Sequence, residues 1–428
     1  MTNDIEIQKR KQNMKLYSIY RAISMDIIFY YAIEFLFLTQ VKNISAPEVV
    51  LKNSFYAFFR IVLQIPANIL IDKIGTRRCT ILANVFNVIY LLIIIFATNL
   101  QILIVAEFFD ALCFSIKEIS DTTLLNMSIP ESENKGEIFS KIEGKGNKKY
   151  YYIDAITAIA SGFLYTVNPY IPIVGAILIS IYATALSTGF HEIKNPDGTT
   201  TEENKFNLKE YMTDLRKSFK FIVKSNRLRS LILYSGIMWG TLCLVSTYRT
   251  SLLEEVGTSA TWIAITAAIV GIASGIGSNK QLKIHKMFKN KTLSILAIIT
   301  ALMIWLSGII GNINLSTKTI VILVTIFFTV LNTVKGAFGV LITRYLSNFT
   351  NPSILPKIYS INGISRNLFR MIIGILGSYI LSITNTANSL ILTGIIFSIV
   401  TLSLISYMKT RTGLKPEEYK KDDIEFDI

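Results

Sequence analysis

The segment Asn68-Ile69-Leu70-Ile71-Asp72-Lys73-Ile74-Gly75-Thr76-Arg77-Arg78 contains the end of one apolar run, a sharp polar reversal and the approach to the next. Val49–Ile71 precedes it and Cys79–Thr98 follows it. Each run is about as long as the ~20 apolar residues a helix needs to cross a hydrocarbon core roughly 30 Å thick. Asp72 is expected to stop the first helix at the interface, with Gly75 permitting a tight turn. Arg77 and Arg78 are expected to remain in water beside anionic headgroups.

The same alternation continues along the chain. Apolar runs at Leu16–Gln40, Gln101–Ser128, Tyr150–Val167 and Ile171–Phe190 complete a first group of six. A second six follows a long polar segment: Leu228–Thr250, Thr258–Ser278, Thr292–Ile313, Thr319–Ser347, Lys357–Thr384 and Ser389–Met408. The chain has 428 residues, of which 51% are hydrophobic and 17% charged, and its mean hydropathy is +0.47. Soluble chains carry roughly a quarter of their residues as charges. No polar stretch is long enough to form a separate domain, which excludes a soluble enzyme on a membrane anchor. The expectation is an all-α polytopic membrane protein with twelve spans in two six-helix halves, residues 1–190 and 228–408. Segment 191–227 is a linker and 409–428 a tail. Within the linker, Leu208–Val223 spaces Leu208, Tyr211, Met212, Leu215, Phe219 and Ile222 as one apolar face among lysines and arginines. That pattern predicts an amphipathic helix lying at the membrane surface.

Basic residues set the orientation. With the N-terminus inside, the inner connections hold Lys73, Arg77 and Arg78; Lys135, Lys141, Lys145, Lys148 and Lys149; and Lys280, Lys283, Lys286, Lys289 and Lys291. The linker and both tails add more. The outer side holds only Lys42, Lys52, Arg249 and Lys318, so about thirty basic residues face four. This bias predicts two cytoplasmic termini in a multi-pass cell-membrane protein. It also accounts for the formal charge of +14 without nucleic acid as a partner. The polar start of the chain predicts no cleavable signal peptide. Cys79, Cys113 and Cys243 have unrelated spacings, and the two histidines, His191 and His285, lie beside helix ends. No disulfide framework, metal site or cofactor is expected.

The Asn68–Arg78 segment resembles the loop motif of the major facilitator superfamily, G-x-L-a-D-r-x-G-r-[RK]. Leu70, Asp72, Lys73, Gly75, Arg77 and Arg78 fit it; Asn68 replaces its first glycine, and Thr76 a usual basic residue. The resemblance implies a secondary transporter whose two halves rock around a central site by alternating access. It assigns a conformational role to Asp72, Gly75, Arg77 and Arg78, the acid contacting a helix of the other half in the family. The corresponding loop at Gly277–Lys291 is basic but lacks a clear Asp and Gly. An early arginine in span four and a Gly-Pro-rich stretch in span five, which mark drug/proton antiporters of this family, are absent.

Charges inside the spans point to function, because an ionisable group at bilayer depth is costly unless it faces protein or water. In span one, Asp26, Tyr30 and Glu34 stand four apart and predict one polar helical stripe. In span four, Asp110, Lys117 and Asp121 share a face, and the last two are spaced to pair. Glu107 and Glu118 flank that face, and Arg60 in span two is placed to neutralise an acid. The second half is basic: Lys335 and Arg344 in span ten, and Asn362, Arg366 and Arg370 in span eleven. Asp26, Asp110 and Arg370 are expected at a central cavity; Lys117, Asp121, Arg344 and Arg366 serve equally well as structural salt bridges. A carboxyl kept from bulk water favours its neutral form, which suits a proton carrier. A basic cluster suits a carboxylate or phosphate. Gly271/Gly275 and Gly374/Gly377 are expected at close helix contacts.

The function expected is proton-coupled transport of a small, anionic or zwitterionic solute by a monomer in the lipid bilayer. Two alternatives stand beside it: proton-coupled multidrug efflux, and a non-transporting membrane protein such as a scramblase or sensor. No phosphate loop or catalytic constellation is present, so no enzyme is expected.

Overall fold

The computed structural model describes residues 2–130, 134–193, 213, 216–217, 219–220, 222–348, 350 and 355–411. The expected amphipathic helix Leu208–Val223 lies largely outside these residues, as does the tail beyond 411. The elements are α1 (Thr2–Ser24), α2 (Glu34–Leu36) with a π-helical turn at Phe37–Val41, α3 (Ala46–Ile74), α4 (Thr76–Phe96), α5 (Leu100–Ser128), α6 (Lys135–Val167) and α7 (Ile171–Thr188). There follow α8 (Asn226–Glu255), α9 (Ala260–Asn279), α10 (Gln281–Phe288), α11 (Thr292–Asn312), α12 (Thr317–Asn348), α13 (Leu355–Ile383) and α14 (Thr386–Arg411). Among the described residues, nine helices are long and apolar enough to cross a membrane. The remaining three expected spans are also largely helical. Span four is α5, which carries several charges; span five lies in α6, which starts earlier at Lys135; span one is interrupted. The fold is all-α and polytopic. Its outward faces are apolar, as at Phe96, Ile272, Ile322 and Ile399, which suits lipid rather than water.

Local chemistry explains the tight hairpins. The Asn99 side chain accepts from Ile102 N at 3.0 Å and starts α5 one short turn after α4. Gly75 adopts φ +87°, a left-handed conformation suited to glycine, and its N–H donates to Ile71 O at 2.9 Å. The helix stop is therefore Gly75; Asp72 lies in the last turn of α3 and does not end it.

The chain divides into two compact units. Unit 1 holds residues 1–44, 55–206 and 260–268; unit 2 holds 45–54, 207–259 and 269–428. Within unit 1, α1 packs on α5, α6 and α7, while α4 packs on α5 and α7. Within unit 2, α8 packs on α12, α13 and α14, while α11 packs on α12 and α14. Each pairing in the first unit thus has its counterpart six spans later, the plan of a repeated half. Helix α8 is the central element of its unit: 72% of its apolar window is buried, against 22–44% for the other eight.

Glycines set several close approaches, though not all those expected. Gly374 meets the Ser54 side chain and Gly377 the Leu244 side chain. Gly271 and Gly275 face open space, and the close crossing of α9 with α12 is made instead by Gly277 against Thr333 O and Gly336 against Ser274 O. In α9 the close approach is therefore made by Gly277, and Gly271 and Gly275 make none.

Candidate functional site

The first span is not a continuous helix. Helix α1 ends at Ser24, irregular backbone runs through Met25–Ile33 with Phe29 at φ +70°, and helix resumes at Glu34. The polar stripe expected from Asp26, Tyr30 and Glu34 at helical spacing is therefore absent. The cause is local. The Asp26 carboxylate accepts its neighbour's N–H, Ile27 N, at 2.9 Å and so competes with helical pairing. It also accepts Tyr150 OH from α6 at 3.3 Å. Glu34 accepts Tyr90 OH at 3.2 Å, and the buried Tyr30 ring meets Tyr90 edge-on, with centroids 6.1 Å apart.

A break at membrane depth leaves carbonyls that need donors. Lys117, buried in α5, supplies one: its Nζ donates to Ser24 O at 2.5 Å and lies near the Tyr20 and Phe114 rings. Lys117 thus spends its hydrogen bond on the broken backbone; its charge still reaches Asp121, but the direct pair expected from their spacing is not formed. Asp121 has other partners. Tyr20 OH donates to its Oδ1 at 3.3 Å and Thr80 Oγ1 at 3.4 Å, while Arg21 stands 3.9 Å from Oδ2. Arg21 also donates through Nε to Asn147 Oδ1 at 3.2 Å. Arg60 pairs with Glu118 and donates to Tyr56 OH at 3.3 Å. Glu107 and Asp110 are both buried in α5, within electrostatic reach of Tyr30 and Tyr90. Asp110, Glu107 and Glu34 therefore gather around one pair of tyrosines, whereas Asp26 and Asp121 belong to separate networks.

The reversal motif has an unexpected partner. Glu192, just beyond α7, accepts from Thr76 N at 3.0 Å, Thr76 Oγ1 at 2.7 Å and Arg77 N at 2.8 Å. It caps the positive start of α4, and its carboxyl would be 3.1 Å from a Cβ added at Gly75. Arg77 donates to Thr188 O at 2.8 Å; Asp72 is half-buried and Arg78 exposed.

In unit 2, Gly236 and Gly240 let the Phe369–Arg370 stretch of α13 lie directly against α8. That contact brings Arg366 Nε to Ser235 Oγ at 2.9 Å and its guanidinium to 5.1 Å from the Trp239 ring. Lys335 reaches the same ring from α12 at 5.5 Å. Two cations from two helices thus share one indole. Arg370 is half-buried one turn further along α13, and Arg344 is exposed. Lys52 and Arg249, expected in outer connections, are buried inside helices. No Asp or Glu occurs between Glu255 and Glu417, so acids cannot explain this cluster from within these helices.

Sequence reasoning missed Arg21, Tyr90, Tyr150, Ser235 and Glu192. Glu192 was hidden because its partner is a helix start more than a hundred residues away. The tyrosines were hidden among many apolar aromatics. Among the described residues no cluster of His, Cys, Asp and Glu is arranged to hold a metal ion.

A multi-pass helical protein of two repeated units with charged groups at depth is the architecture of a membrane transporter. The chain belongs to the Major Facilitator Superfamily, whose family model matches residues 21–334. Among solved structures it is similar to the nucleoside transporter NupG, with a TM-score of 0.72 at 10% identity over 94% of this chain and 99% of that one. It is similar also to a D-xylose-proton symporter, with a TM-score of 0.66 at 11% identity over 96% and 98%. A bacterial homologue of the human lysosomal transporter Spinster gives a TM-score of 0.69 at 11% identity over 95% and 98%. These likenesses show the fold alone. No curated protein sequence matches the chain. The protein is a secondary transporter.

Proposed function

We propose that this transporter moves a small anionic or zwitterionic solute by alternating access, coupled to protons. It acts as a monomer in the cell membrane with both termini in the cytoplasm. Residues 1–190 and 228–408 are the rocking halves, 191–227 their linker and 409–428 a tail. One observation carries the solute class. The buried acids Glu107, Asp110 and Asp121 all lie in α5, whereas the helices after Glu255 contribute only cations at depth. Arg366 and Lys335, on separate helices around Trp239, offer donors that a carboxylate or phosphate satisfies. Asp110, with Glu34 and Glu107 near the same tyrosines, is the proton-carrying candidate. Asp26, Lys117 and Asp121 hold the first unit in shape around it, and Arg60 with Glu118 does the same nearer the surface. Gly75, Arg77, Arg78 and Asp72, with Glu192, form the hinge between α3 and α4.

The test is proton flux in proteoliposomes under an imposed pH gradient, with wild type and Asp110→Asn. Carboxylate- and phosphate-bearing metabolites are expected to trigger flux that Asp110→Asn abolishes. Flux triggered only by lipophilic cations would make the protein a drug antiporter instead.

A further inference from the structure

Arg249 lies near the far end of α8 and is only 8% exposed. Its Nε is buried without a hydrogen-bond partner. No acidic side chain among the described residues lies within electrostatic reach of its guanidinium. The polar side chains that flank it in sequence on α8 are engaged elsewhere. Tyr248 OH donates to Gly377 O at 2.6 Å, Ser251 Oγ meets Thr386 Oγ1 at 2.7 Å, and Glu255 accepts from Thr386 N at 3.2 Å. A buried cation without a counter-charge is destabilising, and an aliphatic side chain of like volume would relieve that cost.

The position is also aligned with the cluster already described. At about 100° per residue, Ser235, Trp239, Ser246 and Arg249 fall within about 80° of arc on α8. Fourteen residues at 1.5 Å rise place Arg249 about 20 Å along the helix from Ser235. Asn53 Nδ2 donates to Thr247 Oγ1 at 3.4 Å, so the start of α3, which carries the buried Lys52, meets α8 near the same level.

We propose that Arg249 is a second anion-binding station of this transporter, taking a carboxylate or phosphate group on the α8 stripe that begins at Arg366 and Ser235. The inference rests on the anionic solute proposed above. A guanidinium offers five donors in a planar fork, suited to bidentate capture of either group. An anion travelling along α8 would leave one cation for another and not for bare hydrocarbon.

The experiment measures thermal unfolding of the full-length detergent-solubilised protein against inorganic phosphate and acetate. It compares wild type, Arg249→Gln, Arg366→Gln and the double variant. Without anion, Arg249→Gln is expected to unfold at a higher temperature than wild type, because an uncompensated buried charge is gone. At saturating phosphate the stabilising shift is expected to fall by about half in each single variant and to vanish in the double. A lower midpoint for Arg249→Gln, with the phosphate shift intact, would make Arg249 a structural group and overturn the proposal. Complete loss of the shift in Arg366→Gln alone would overturn the second station while leaving the anionic site standing. No shift in wild type with either anion would overturn both.

Discussion

Helices α1 and α8 occupy equivalent places in the two units, yet one is broken and the other runs unbroken for 30 residues. The lysines beside them show what that difference does. Lys117 stands seventeen residues after the start of α5, and Lys335 eighteen after the start of α12, the equivalent helix. In the first unit, the break at Ser24 leaves a carbonyl inside the membrane span, and Lys117 is consumed in satisfying it. In the second, α8 satisfies its own backbone, and Lys335 remains over the Trp239 ring beside Arg366. Two similar packing plans thus put a cation at equivalent helix positions with different surroundings, one bonded to backbone and one over an aromatic ring.

A second pair of joints differs in the same way. In unit 1, α3 and α5 are joined by the Arg60–Glu118 ion pair, with the Glu118 side chain 70% exposed. In unit 2, α9 and α12 meet through Gly277 and Gly336 against each other's backbone. The largest expected effect comes from breaking this contrast. Gly336→Leu drives a side chain into Ser274 O and should cost on the order of 3 kcal/mol or more, seen as loss of monodisperse protein. Glu118→Gln, at an exposed ion pair, should cost less than about 1 kcal/mol in the same assay.

Next in size is the site itself. Arg366→Gln removes a charged donor and should weaken anion binding roughly tenfold to a hundredfold, from about 1.5–3 kcal/mol per charge-assisted hydrogen bond. Equilibrium binding by tryptophan fluorescence would read it. The lysines then sharpen the comparison directly. Lys117→Met should lower stability by about 2 kcal/mol through the orphaned Ser24 carbonyl, leaving anion affinity within about twofold. Lys335→Met should do the reverse, holding stability nearly constant and weakening the anion by roughly threefold to tenfold. Thermal unfolding and binding measured on both variants would separate them. A modest effect is expected at the reversal, where Glu192→Ala removes the cap of α4 and should cost about 1 kcal/mol in thermal unfolding.

Much of the architecture is written in a local code. Apolar runs of spanning length, the Gly75 reversal and the lysines between spans need no knowledge of distant residues. The interruption of span one is another matter. Leu16–Gln40 reads as an uninterrupted helix because its polar residues recur every four positions. What breaks it is a competing set of partners: beside the local bond from Ile27 N, Asp26 is held by Tyr150 of α6 and Ser24 O by Lys117 of α5. Periodicity carries no information on such partners. The same limit explains Lys117 and Asp121, which are spaced to pair but make their closest contacts with Ser24 O, and with Tyr20, Thr80 and Arg21. It explains Arg249 too, since proximity to a loop in sequence does not reveal burial. In the second half the cluster was more legible. Arg366 and Arg370 share a helix face without acids, and Gly236 and Gly240, which bring that face onto Trp239, lie one turn apart in plain view.

The division of labour between the halves is tested most directly by measuring two activities in the same proteoliposomes: gradient-driven uptake of a transported carboxylate, and its exchange at equal pH on both sides. Asp110→Asn is expected to abolish gradient-driven uptake while exchange continues, because the proton carrier is lost and the anion site remains. Arg366→Gln is expected to lose both at the same solute concentration. Exchange lost in Asp110→Asn but preserved in Arg366→Gln would contradict the account, for it would place solute binding in the first half and not the second.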